Sequence, residues 1–196
     1  MDTYTYKIGD NLYINLTNRC SNRCTFCVRD QSAEYEGNYL WLKEGEPSAE
    51  QVTEEIGDPA EYNEIVFCGY GEPTYRLEAM LEICDFVHAH GGKTRLNTNG
   101  HGSLINEENI APKLAGKLDG VNISLNAPDA GSYNEVCRPR IDVAFEGLLQ
   151  FAKDCKEAGV NCWFSVVDCI GEEKLEGCRK IAEGIGIPLR VREFIG

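Results

Sequence analysis

The stretch Cys20-Ser21-Asn22-Arg23-Cys24-Thr25-Phe26-Cys27 places three thiols within eight positions. Soft thiolates select zinc or iron–sulfur clusters. A closed structural zinc site takes four ligands, usually as two close pairs. Here the fourth would have to come from Cys68, Cys137 or a histidine distant in sequence. A cubane held by only three cysteines leaves one iron open to another ligand, and chemistry would happen at that iron. Three free thiols are the remaining reading.

A second element with chemical potential is Phe67-Cys68-Gly69-Tyr70-Gly71-Glu72-Pro73. Its glycines let a backbone approach a ligand, and its glutamate offers a charged acceptor to an ammonium. The same string also reads as a plain turn. None of the seven cysteines outside the triad forms a Cys-x2-Cys pair. Cys84 and Cys155 fall on apolar helical stripes and belong to the core. Cys137 and Cys169 are expected at the rim of the site, as a substrate-side thiol or part of a second cluster. His88, His90 and His101 show no metal spacing and read as surface or core residues.

These groups need a scaffold, and the chain has the means to build one. Its 196 residues, 42% of them hydrophobic, suffice for one well-buried core, so a single domain over 1–196 is expected. The start Met-Asp-Thr-Tyr-Thr-Tyr-Lys lacks the basic and apolar regions of a secretory signal, and no run of about eighteen apolar residues follows. Both features point to a cytoplasmic protein away from membranes, where cysteines stay reduced. The net charge of −13 would repel a phosphate backbone and argues against nucleic acid as the main partner.

Short apolar runs alternate with helical patterns, which predicts six strand–helix units around a parallel sheet. The strands read as Leu12–Thr17, Glu64–Cys68, Thr94–Thr98, Gly120–Leu125, Cys162–Val167 and Leu189–Phe194. Helical stripes run through Leu77, Met80, Leu81, Cys84 and Val87, and through Ala144, Leu148, Phe151, Ala152 and Cys155. Ser48 with Gln51 makes a capping box, and Gly91 and Gly159 suit helix ends. One long connection, 28–47, carries Tyr35, Tyr39 and Trp41. Within the strands the apolar residues alternate with polar ones: Asn97 and Asn99 share a face, as do Ser124 and Asn126. A closed eight-stranded barrel fills its interior with Val, Ile and Leu. The polar inner face predicts instead an α/β fold of parallel strands, a laterally open partial (β/α)6 barrel. A flat doubly wound sheet would bury both faces.

Cys-x3-Cys-x2-Cys with an aromatic residue before the last cysteine resembles the signature of the radical SAM superfamily, with Phe26 in the aromatic place. The Gly69–Glu72 string is similar to that family's Gly-Gly-Glu element, and the polar strand ends match its lining; the resemblance covers residues 12 to about 194. It implies one radical SAM core with the cluster loop at about 18–30. Cys20, Cys24 and Cys27 would hold a [4Fe–4S] cluster. S-adenosylmethionine (SAM) would meet Phe26, Gly69, Tyr70, Gly71, Glu72, Asn97, Asn99, Ser124, Asn126 and Val167. Tyr133, Cys137, Arg138 and Arg192 would face the substrate, with Arg190 and Arg192 either inward or in surface ion pairs. The implied activity is reductive cleavage of SAM to methionine and a 5′-deoxyadenosyl radical, fed by a one-electron donor such as flavodoxin or ferredoxin. The substrate is a small metabolite or a polypeptide. Ser124-Leu-Asn-Ala-Pro-Asp followed by Tyr133-Asn134 and Cys137-Arg-Pro-Arg140 resembles the small TatD-associated subgroup, which implies association with a TatD-type hydrolase. The competing expectation is a zinc- or cluster-bearing accessory protein without turnover.

Overall fold

The computed structural model describes residues 2–193. The chain divides into two compact units. The first gathers the chain up to Cys20, then Cys27–Asn97 and Gly116–Gly120; the second gathers Ser21–Phe26, Thr98–Ala115 and the chain from Val121.

The first unit begins with an antiparallel pair, β1 (Thr5–Ile8) and β2 (Asn11–Ile14), turned at Gly9 with a positive φ of 58°. A short helix α1 (Val28–Gln31) and a minimal hairpin, β3 (Glu34–Tyr35) with β4 (Asn38–Tyr39), lie in the long connection. Helix α2 (Ala49–Ile56) opens on the expected capping box, with Ser48 and Gln51 each bonding the other's backbone. Strand β5 (Ile65–Phe67) pairs parallel with β2 on one side and with β6 (Thr94–Thr98) on the other. The crossover between them is α3 (Leu77–Ala89), which buries Leu77, Met80, Ile83, Cys84 and Val87. Burial pushes the Cys84 thiol up to about 12, so it acts as a small hydrophobe.

The second unit holds α4 (Gly102–Ile105), α5 (Ala111–Leu114) and β7 (Gly120–Ser124), then α6 (Ala130–Cys137) and α7 (Ala144–Glu157). It ends with β8 (Cys162–Val167), α8 (Glu172–Ile185) and β9 (Leu189–Arg192). Strand β8 pairs parallel with β7 and with β9, and all six of its residues are buried. Ala144, Leu148, Phe151, Ala152 and Cys155 form the buried face of α7, as their spacing predicts.

All six expected strands are present, and the sheet is mostly parallel, as the alternation of elements predicts. Four of the six differ at their ends; the first begins at Asn11, the second shortens to Ile65–Phe67 and the fourth ends at Ser124. The first strand stops at Ile14; the Asn15 side-chain amide then donates to Leu40 O at 2.7 Å and Thr3 O at 3.2 Å, while its backbone N–H donates to Tyr4 O at 2.8 Å. The last stops at Arg192, and Phe194 lies outside the described residues. Strand β1 and the β3–β4 hairpin are additions to the sequence-based expectation. Among the described residues no helix is long and apolar enough to cross a membrane.

Candidate functional site

In the first unit the glycine string packs against the end of β2 and the residues leading to Cys20. A Cβ on Gly69 would stand 2.3 Å from Asn15 Oδ1, and one on Gly71 would stand 2.3 Å from Thr17 O and 2.6 Å from Arg19 O. Only glycine allows this approach. The Glu72 amide donates to Arg19 O at 2.7 Å. Its carboxylate is 2% exposed and caps the following turn, accepting from the Thr74 amide at 3.2 Å and hydroxyl at 2.8 Å.

The same unit clamps the long connection at both ends. Arg29 donates to Asn18 O and Tyr70 O, both at 3.2 Å, and Tyr70 donates its phenol to Ser32 O at 2.9 Å. At the far end Asn18 exchanges two bonds with the Leu42 backbone. Glu46 accepts from Thr17, from Arg19 through Nε and Nη2 at 2.7 and 3.0 Å, and from Arg76 at 3.1 Å. Partial burial opposes the Glu46 charge, but these donors hold its carboxyl below the ordinary carboxylate range.

In the second unit a different network surrounds the residues after Cys20. Ser21 Oγ lies 2.9 Å from His101 Nδ1 and accepts from Asn99 Nδ2 at 2.8 Å. His101 Nε2 lies 3.1 Å from the Tyr133 phenol oxygen, which also accepts from Asn22 Nδ2 at 3.0 Å. Ser21, Asn22, His101 and Tyr133 are all buried. Burial pushes the His101 pKa down to about 4, against a bond to the Ala144 backbone, so the ring is neutral near pH 7. Burial, with Cys137 beside it, raises that of Tyr133.

The expected site residues fall into three groups. Cys20, Cys24 and Cys27 are partly exposed thiols, as all ten cysteines are thiols, and Phe26 is half-buried beside them in sequence. Among the described residues no three His, Cys, Asp or Glu side chains are grouped as around a metal ion. Asn97, Asn99 and Ser124 are half-buried at strand ends, and Val167 is buried. Asn97 accepts from Arg95 at 2.7 Å, and Asn99 spends its amide on Ser21 and His101. Asn126 is 5% exposed at a positive φ of 59°, with its Nδ2 3.6 Å from Cys137 Sγ. The substrate candidates diverge: Tyr133 and Cys137 are fully buried, whereas Arg138 and Arg192 are exposed. Burial of Cys137 corrects the expectation of a rim position. The guanidinium of Arg190 lies 4.0 Å from the Trp163 ring centre, a stacking contact. His101, read as a surface or core residue, is buried; the spacing rules missed Ser21, Asn22 and Glu46, since a lone polar residue carries no periodic signal.

The profile of the Radical SAM superfamily matches residues 14–182. The chain belongs to this family. This radical SAM chain is 24% identical over 95% of its length to the GTP 3′,8-cyclase of Rhodopirellula baltica, and 27% identical over 82% of it to that of Streptomyces coelicolor. It covers 50% and 45% of those two proteins, so it spans about half the length of the curated relatives it matches. Among solved structures it resembles anSMEcpe with bound AdoMet, at a TM-score of 0.69 and 20% identity over 93% of this chain and 50% of that one. It also resembles Streptococcus suis SuiB bound to precursor peptide SuiA, at 0.73 and 18% identity over 94% of this chain and 39% of that one. These likenesses establish the α/β radical SAM fold.

Family membership implies a [4Fe–4S] cluster and SAM, and the donor types present suit both. The cysteine triad supplies soft thiolate donors. Among the described residues, buried Asn126 Oδ1 and Ser165 Oγ find no hydrogen-bond partner, as suits a surface that receives a polar ligand. The close approach at Gly69 and Gly71 leaves backbone in place of side chains beside the cysteine loop's first residues.

Proposed function

We propose that this chain is a radical SAM enzyme in which Cys20, Cys24 and Cys27 hold a [4Fe–4S] cluster with one iron open to SAM. The observation that carries the reading is the cysteine triad standing inside a family match over residues 14–182. When bound and reduced, the cluster supplies the electron that splits SAM to methionine and a 5′-deoxyadenosyl radical. The rest falls to the chain's own side chains. Glu72 receives the methionine ammonium, and Gly69 and Gly71 let its string pack closely against Asn15, Thr17 and Arg19. Phe26 and Val167 border the adenine, and Asn97, Asn99, Ser124 and Asn126 offer polar contacts to ribose and carboxylate. Tyr70, expected among these contacts, has its phenol and carbonyl engaged with Ser32 and Arg29, so its share is to order the long connection.

The substrate from which that radical would take a hydrogen atom is a small metabolite or a polypeptide, and the relatives include a nucleotide cyclase and a peptide-bound structure. A flavodoxin or ferredoxin in the cytoplasm supplies the electron, and the Tyr133–Arg140 string supports association with a TatD-type hydrolase. The test is anaerobic reconstitution with iron and sulfide, then addition of SAM and a strong reductant. The expected result is iron uptake that requires all three cysteines, and release of 5′-deoxyadenosine. Iron uptake without SAM cleavage in the presence of candidate substrates would favour the accessory-protein reading, and zinc in place of iron would overturn the proposal.

A further inference from the structure

We infer that His101 and Tyr133 are positioning residues for the turn between Cys20 and Cys24, ordering its backbone before any cofactor arrives. The inference rests on the proposed reading of the cysteine triad. The contacts that carry it lie wholly within the second unit. Ser21 and Asn22 are 1% and 3% exposed, whereas the three cysteines are partly exposed. A loop built only to present ligands has no cause to bury the residues between them.

Each buried residue has its own holder. His101 Nδ1 meets Ser21 Oγ at 2.9 Å, Tyr133 accepts from Asn22 at 3.0 Å, and the 3.1 Å contact of His101 with Tyr133 joins the two. The backbone is tied to the same helix. Arg23 N donates to Cys137 O and Thr25 N to Val136 O, both at 2.9 Å, and Arg140 N donates to Ser21 O at 2.8 Å. Tyr133, Val136 and Cys137 all belong to α6.

The imidazole suits this task because its two nitrogens face opposite ways across a flat ring. A neutral ring has one donor and one acceptor, so one hydroxyl donates to it and the other accepts from it. Each hydroxyl takes a further bond from an asparagine amide, Asn99 on Ser21 and Asn22 on Tyr133. The two hydroxyls and the imidazole therefore form one connected chain that takes an asparagine amide at each end. A segment ordered in advance binds its partner without losing conformational freedom at that moment.

The experiment is amide hydrogen exchange on the cluster-free full chain, compared with His101→Ala, Tyr133→Phe and His101→Gln, with Ser21→Ala standing in should His101→Ala not fold. The Arg23 and Thr25 amides are expected to exchange about tenfold faster in the first two variants, the effect of one lost buried hydrogen bond. His101→Gln, which keeps one end of the bridge, is expected to fall between. The Phe164 amide in β8, bonded to Pro188 O, is expected to stay at the wild-type rate. In parallel, iron uptake is expected to be slower in the variants while reaching the wild-type content. Unchanged exchange at Arg23 and Thr25 would overturn the proposal, as would equal acceleration at Phe164, which marks a general loss of stability. Iron uptake at the wild-type rate in variants with fast local exchange would overturn the link to the cofactor. A wild-type chain that takes up no iron would overturn the reading of the triad itself, and the exchange data would tell the two failures apart.

Discussion

Arg19 and Ser21 stand two residues apart on either side of Cys20 and are held by opposite kinds of chemistry. Arg19 is tied by charge: its side chain is 53% exposed and pairs with Glu46, itself 30% exposed, which Arg76 also reaches. Ser21 is tied by neutral hydrogen bonds to the buried His101 and the half-buried Asn99. Water and salt compete with the first arrangement far more than with the second. Breaking a buried neutral network strands its partners, whereas an exposed ion pair finds water as a substitute. The charged side of the loop is therefore adjustable and the neutral side fixed, a division that can be broken in graded steps.

The largest step is steric. Gly71→Ala drives a Cβ into Thr17 O and Arg19 O at 2.3 and 2.6 Å, and both obstacles are backbone. The substitution is expected to destabilise the chain by about 3 kcal/mol, read as a lower urea midpoint at unchanged slope. If it costs less than loss of the Glu46 clamp, the backbone fit is not what fixes this side of the loop.

Next comes the pH response of the neutral side. The folded His101 pKa lies near 4 against an ordinary 6.5. Between those values the unfolded chain binds a proton that the folded chain refuses. His101 therefore contributes stability that is full above about pH 6.5 and lost as the pH falls towards 4. Wild-type stability should drop over that window by about 2 to 3 kcal/mol more than that of His101→Gln. Parallel pH profiles for the two proteins would show that the imidazole is not held neutral. Tyr133→Phe is smaller: it strands the Asn22 amide and one His101 nitrogen and is expected to cost about 1 to 2 kcal/mol, with no dependence on salt. A salt-dependent loss would place Tyr133 on the wrong side of this division.

The two sides also differed in how far the sequence revealed them. The cysteine spacing, the glycine string and the six strands are patterns of type and period, and the strands are found where they were expected. Strand β1 was not expected, although Gly9-Asp10 between short alternating runs is a hairpin signal. The His101 network carried no such signal. Its partners come from positions 21, 22, 99, 101 and 133, with bonded pairs up to 111 residues apart, and only the folded chain shows that they meet. Cys137 illustrates the same limit. Its place after a polar strand end suggests a rim thiol, yet α6 buries it completely. Strand ends predict what is near a site, but side-chain burial depends on which helix covers them.

The smallest effect is the sharpest test of the charged side. Glu46→Gln keeps the size of the side chain and its capacity to accept from Thr17, and removes only the charge that faces Arg19 and Arg76. Exposed pairs of this kind contribute about 0.2 to 1 kcal/mol each, and a small two-arginine cluster should sit near the top of that range. The loss should shrink as ionic strength rises, because a Debye length of about 3 Å at 1 M salt screens partly exposed groups. It should also fade at low pH, since Glu46 titrates below the ordinary carboxylate range and its contribution is present above that range and lost as the pH falls through it. A double substitution with Arg19→Gln measures the coupling directly. Coupling that survives in high salt would mean that the Arg19–Glu46 contact is held as firmly as the Ser21–His101 contact, and the division between an adjustable and a fixed side of the cysteine loop would fall.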